Sequence, residues 1–167
     1  MLMYIRLALS SIALLVVPCF AYASSWYITH IIDTEMAYYF DADTVEKDRD
    51  IATVWLKRVN RTAPDVSGAW ATASRTQMDC KKRTIQTLSV VTYGQEGKLI
   101  GSTNYPGDVV FVAPDSIGEA LLKMVCEPDF PNDKSGKEYF DLQGIDPLEA
   151  TKQLNESAKG QADSAPR

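Results

Sequence analysis

Few side chains in this sequence carry chemistry of their own: three cysteines, one histidine, the aspartates Asp41 and Asp43, which are the best carboxylate pair, and one run of bases. Asp41 and Asp43, two residues apart at a strand end, would point the same way, as an acid–base pair requires. The plainer use of such aspartates is turn chemistry, in which each bonds its own backbone and stops the strand. His30 stands alone in an extended segment, as a general base or as an ordinary strand side chain. Lys81-Lys82-Arg83, with Arg75 upstream, is the densest basic cluster of an acidic chain. It offers a docking patch for anionic partners such as sulfated glycans or acidic protein segments. It also reads as a solvated strand end whose lysines discourage edge pairing. A single histidine excludes multi-histidine metal sites by count. The chain has no nucleophile elbow and no phosphate-binding glycine loop, so no cofactor is predicted.

Cys80 and Cys126 are the more informative pair, and the N-terminus says why. Arg6 precedes an apolar stretch from Leu7 to Val17, and Ala21-Tyr22-Ala23 is a small-x-small cleavage pattern, so residues 1–23 read as a secretory signal. The apolar stretch falls short of the roughly 20 residues of a membrane span. Cys19, a lipidation candidate spoiled by Pro18, leaves with the signal. The exported chain, in the periplasm or on the outer surface, then holds two cysteines in an oxidising space, where pairing is expected. With 17 Lys and Arg against 22 Asp and Glu, the net charge is −5, which excludes a strongly basic nucleic-acid binder.

These groups must be positioned by a β-rich domain. Trp26–Ile32, Met36–Phe40, Ile51–Val59, Gly68–Cys80, Thr84–Tyr93 and Lys98–Thr103 read as about six strands, with a short extended piece at Asp108–Val112. Ile51–Val59 is apolar on both parities, which predicts a central strand. In the fourth run, period-two geometry puts Cys80 on one face with Trp70 and Met78. The small hydroxyl residues Thr72, Ser74 and Thr76 between them leave room for a helix. Tyr38, Tyr39 and Phe40 cannot share a face, so at least one aromatic is either exposed as a contact candidate or buried by the tail. Ser116-Ile117-Gly118-Glu119 is a capping box, followed by a stripe of Ile117, Ala120, Leu121, Met124 and Val125. A helix ending near Val125, as Pro128 suggests, turns Cys126 toward the sheet. Beyond Cys126 the chain becomes acidic and poor in aromatics, and 127–167 reads as a largely flexible tail. Asp146-Pro147-Leu148-Glu149 starts a short helix there, to about Ser157. The fold class is α+β: an antiparallel sheet with one packed helix tied to it by a disulfide.

The stretch from Trp26 to Cys126 resembles the surface-adhesin protein E family. The resemblance is carried by Tyr39-Phe40-Asp41 before Thr44-Val45, by Val54-Trp55-Leu56, and by Asp79-Cys80-Lys81-Lys82-Arg83. It continues in Pro114-Asp115-Ser116-Ile117-Gly118-Glu119-Ala120-Leu121-Leu122-Lys123 and ends at Cys126. It implies an antiparallel sheet, a packed helix and a disulfide, and makes 24–126 the folded domain. It also implies a non-enzymatic binding role, with host extracellular-matrix or serum proteins as partners. The alternative is a structural or accessory component of a periplasmic or envelope assembly. A homodimer is among the arrangements the sequence allows. A hydrolase using Asp41 and Asp43 would need a deep pocket joining them to His30.

Overall fold

The computed structural model describes residues 24–32, 35–130 and 139–164. The signal segment, its cleavage site and Cys19 lie outside them. The strands are β1 (Trp26–Ile32), β2 (Met36–Asp48), β3 (Ile51–Asn60), β4 (Ala71–Asp79), β5 (Thr84–Tyr93), β6 (Leu99–Thr103), β7 (Val110–Phe111) and β8 (Tyr139–Asp141). Two helices accompany them, α1 (Ile117–Cys126) and α2 (Pro147–Ser164). All pairings are antiparallel, in the order β6-β5-β4-β3-β2-β1-β8, and β7 shares the outer edge of β5 with β6.

Strand β3 lies mid-sheet, as its two apolar parities require, and its alternation builds two cores. Ala52 and Val54 join Phe40, Met78 and Phe130 beneath Leu121, Leu122, Met124 and Val125 of α1. On the other face Val59 joins Ile28, Ala37, Tyr39 and Ala71 beneath Leu148 and Ala150 of α2. Neighbouring Tyr39 and Phe40 are therefore both fully buried, one in each core, and Tyr38 is half-buried. Of the two alternatives the sequence leaves for this trio, burial holds for Tyr39, which α2 of the C-terminal segment covers, while Phe40 lies under α1.

Three local expectations change. Strand β2 does not stop at Asp41–Asp43 but runs to Asp48. Its pairing jumps from Asp41↔Trp55 to Glu46↔Thr53, so four residues of β2 stand opposite one of β3 in a bulge, and the ladder resumes beyond them. Inside the bulge Thr44 Oγ1 accepts from Trp55 N (3.1 Å) and donates to Asp41 O (2.8 Å), replacing the missing ladder bonds. Trp70 does not share a face with Met78. It precedes β4 and packs with the core under α2, whereas Met78 lies under α1.

The third change concerns the residues beyond Cys126. They contribute a strand, β8, on the edge of β1, and an 18-residue helix laid on the sheet. The apolar stripe of α2 is thin, as the sequence shows, and polar ties supplement it. Asp146 caps the helix (Leu148 N to Asp146 Oδ1, 2.8 Å) and accepts from Lys57 Nζ at 2.9 Å. Lys57 is itself buried between the rings of Trp26 and Tyr93, 5.5 and 5.1 Å from their centroids. Tyr39 Oη bonds Thr151 Oγ1 (2.7 Å), and Arg61 exchanges two bonds with Asn155.

Helix α1 begins as its capping box predicts, with Ser116 Oγ accepting from Glu119 N at 3.2 Å. The returning carboxylate goes one residue further back, to Asp115 N (2.9 Å). The helix ends at Cys126, which is bonded to Cys80 in the turn after β4, with S–S at 2.03 Å and Cα–Cα at 5.7 Å.

Candidate binding surface

Helix α1 covers only part of its face of the sheet. Beside it lies a trough of 310 Å³ lined by Leu56, Val90, Met78 and Leu121, by the hydroxyls of Thr72, Ser74, Thr76 and Thr87, and by Tyr38 and Arg58 at its rim. Thr72, Ser74 and Thr76 do leave space above the sheet, and α1 occupies only the Met78 end of it. The trough shares Ile85 and Thr87 with a second hollow, of 460 Å³, bounded by Val110, Phe111, Val112, Asp108 and the start of α1. The two hollows adjoin at these residues, and together they make a channel that reaches from β2 to β7.

At the β7 end this channel meets the exposed edge of the sheet. Tyr105, Val109, Val110 and Phe111 all face solvent, Phe111 at 79% of its full area, while Leu99 and Ile100 of β6 are exposed at the other end of the β5 edge. Contiguous exposed apolar side chains of this kind mark contact sites. Periodicity alone does not reveal them, because strands of two and five residues carry too little pattern. The turn residues Pro106-Gly107 were the available signal.

The basic cluster is dispersed and largely paired within the chain. Arg75 lies on the face opposite Thr76 and meets Glu46 at 3.2 Å. Lys82 meets Asp79 at 3.3 Å, and Arg83 bonds Glu119, which also holds Lys123 at 3.5 Å. Lys81, in the same turn, has no ion pair among the described residues, and its amide donates to Asp79 (3.1 Å). The Lys82 amide above all, and after it the Lys82 ammonium and the Lys81 amide, hold the Asp79 carboxyl below its ordinary range.

The aspartate pair is part of the bulge and the chain start. Asp41 is buried and accepts from Asp43 N (3.2 Å), while Asp43 is exposed and accepts from Ser25 N (3.1 Å). Burial pushes the Asp41 carboxyl up, against the hydrogen bonds that draw it down. Neither aspartate lines the trough or the adjoining hollow, and His30 lies on β1. Among the described residues no group of three or more His, Cys, Asp or Glu is placed to hold a metal ion.

The class so defined is an α+β domain with one open antiparallel sheet and a helix bonded covalently onto it. The chain belongs to the surface-adhesin protein E family, whose model matches residues 26–127, so β8 and α2 lie outside the matched part. Membership makes it an adhesin-like surface protein. Among solved structures it is similar to the crystal structure of protein E from non-typeable Haemophilus influenzae. Identity is 12%, the TM-score is 0.43, and 59% of this chain and 74% of that one are covered. No curated protein matches the chain. Among the described residues no helix is long and apolar enough to cross a membrane.

Proposed function

We propose that the protein is an exported, non-enzymatic adhesin-like protein that binds host extracellular-matrix or serum proteins through the channel beside α1 and the apolar edge at β7. The observation that carries this reading is the continuity between the uncovered sheet face and the exposed Val110 and Phe111. An extended segment of a partner laid in the channel buries apolar side chains against Leu56, Val90 and Ile85. Its polar groups meet the β4 hydroxyls and Arg58, a specificity element at the rim. Lys81, Lys82 and Arg83 add a charged flank for acidic partner segments, screened by salt.

The test is binding of the purified full chain to immobilised matrix and serum proteins, compared with a Val110→Ser/Phe111→Ser variant. Both side chains are exposed, so the variant should melt as the parent does while its binding falls at least tenfold. Undiminished binding, or no binding to any such protein, would overturn the reading. The second reading, an accessory role in an envelope assembly, is favoured by one feature. Edge strand β6 exposes Leu99 and Ile100, and an envelope protein could extend the sheet there. Co-purification with envelope components, lost on Ile100→Lys, would support it instead.

A further inference from the structure

On the opposite face of the sheet, a cavity of 190 Å³ lies between α2 and the end of β5. Its apolar lining is Trp70 and Leu148, and every other side chain around it is polar. Trp70 is half-buried, and its backbone amide donates to Tyr93 O (2.8 Å), which ties this residue beside the turn that follows β5. That turn carries Gln95 and Glu96 to the rim of the cavity, with Lys152 of α2 across from them. Gln95 and Glu96 are exposed, and among the described residues their side chains have no hydrogen bond or ion pair. An amide and a carboxylate therefore stand free at the mouth of a hollow that Trp70 lines. Asn60 and Asn155, deeper in, are already bonded to Ala69 O and Arg61.

We infer that this cavity is a saccharide-binding site for one neutral hexose or N-acetylhexosamine ring. The C–H face of a pyranose is flat and apolar and stacks on an indole, while its hydroxyls need planar donors and acceptors around the edge. Gln95 supplies both, Glu96 accepts, and Lys152 donates. The volume is below the roughly 300 Å³ of a drug-sized site, which limits the ligand to a single ring. An anionic sugar is disfavoured because Glu96 stands at the rim, and Lys152 already faces Glu149 at 3.5 Å. Glu96 is also held in the left-handed region, φ 58°, ψ 23°, which its turn could relieve with glycine. The site is formed partly by α2, outside the family-matched segment, and is separate from the channel beside α1.

The experiment is a printed array of neutral, acidic and sulfated oligosaccharides, the neutral ones ending in hexose or N-acetylhexosamine, probed with the full chain. Saturation-transfer NMR with the best-bound terminal monosaccharide follows. The expected result is binding that falls at least tenfold in Gln95→Ala/Glu96→Ala, with an unchanged melting temperature, and is lost in Trp70→Leu. If Trp70→Leu fails to fold, the rim variant alone decides. Val110→Ser/Phe111→Ser should leave sugar binding intact, which separates this site from the proposed protein contact. No binding to any neutral sugar, recognition of sulfated or acidic glycans alone, or binding that survives the rim variant would overturn the inference.

Discussion

Burial raises the carboxyl of Asp41, whereas Asp79 and Glu119 are held below their ordinary values. The Lys82 amide leads in the case of Asp79, and the Asp115 amide followed by Arg83 in the case of Glu119. The signs are opposite. A lowered folded pKa contributes stability that is present above the unfolded pKa and is lost as pH falls through the folded one. For Asp41 the raised value means that ionisation opposes folding, so acid relieves that residue. Asp79 organises the Cys80 turn, and Glu119 joins the start of α1 to Arg83. The denaturation midpoint should therefore drop below about pH 4, the ordinary carboxylate range. In Asp79→Asn/Glu119→Gln the midpoint should start lower at neutral pH and fall less steeply in acid. Midpoints measured by circular dichroism from pH 7 to pH 3 check this, and an acid limb as steep as the parent's would contradict it.

At the scale of elements, the two helices are held differently. Helix α1 brings four buried apolar side chains and a covalent bond, whereas α2 relies on Leu148, Ala150 and three polar ties. The Lys57–Asp146 pair is the most consequential of these, because it spans the N-terminus of α2 and a lysine buried between two rings. Asparagine caps helices about as well as aspartate, so Asp146→Asn keeps the cap and removes the charge. Asp146 is more than half exposed, so the pair is worth about 1 kcal/mol, near the upper end for surface pairs. Amides of α2 should then exchange about fivefold faster, while those of α1 stay as they are. Equal acceleration in both helices would mean that α2 and the sheet open together.

For the whole molecule, the Cys80–Cys126 bond closes a separation of 46 residues. In the chain-entropy model that is worth about 4 kcal/mol. The bond joins the far turn of the β4–β5 hairpin to the end of α1, so it also holds the wall of the channel in place. Cys80→Ser should lower the melting temperature by about 10–20 °C without removing the fold, since α1 keeps its cap and buried stripe. Calorimetry of the oxidised chain against the variant measures the shift. A change of only a degree or two would show that the link adds nothing to global stability.

Features fixed by residues close to one another in the chain are legible without the structure. The two-sided apolar run of β3 demanded a central strand, Ser116 and Glu119 set the start of α1, and two exported cysteines had one possible partner each. Other features depended on distant residues. The acids that pair with Arg75 and Arg83 lie 29 and 36 positions away, and the partners that hold α2 down lie about 90 or more away. Local pattern therefore read the basic cluster as free and the C-terminal segment as loose. Period-two geometry fails for Trp70 because the residue precedes β4, which begins at Ala71. The channel is a matter of dimensions. A ten-residue helix is about 15 Å long, whereas seven adjacent strands span about 29 Å, so α1 has to leave part of its face of the sheet uncovered.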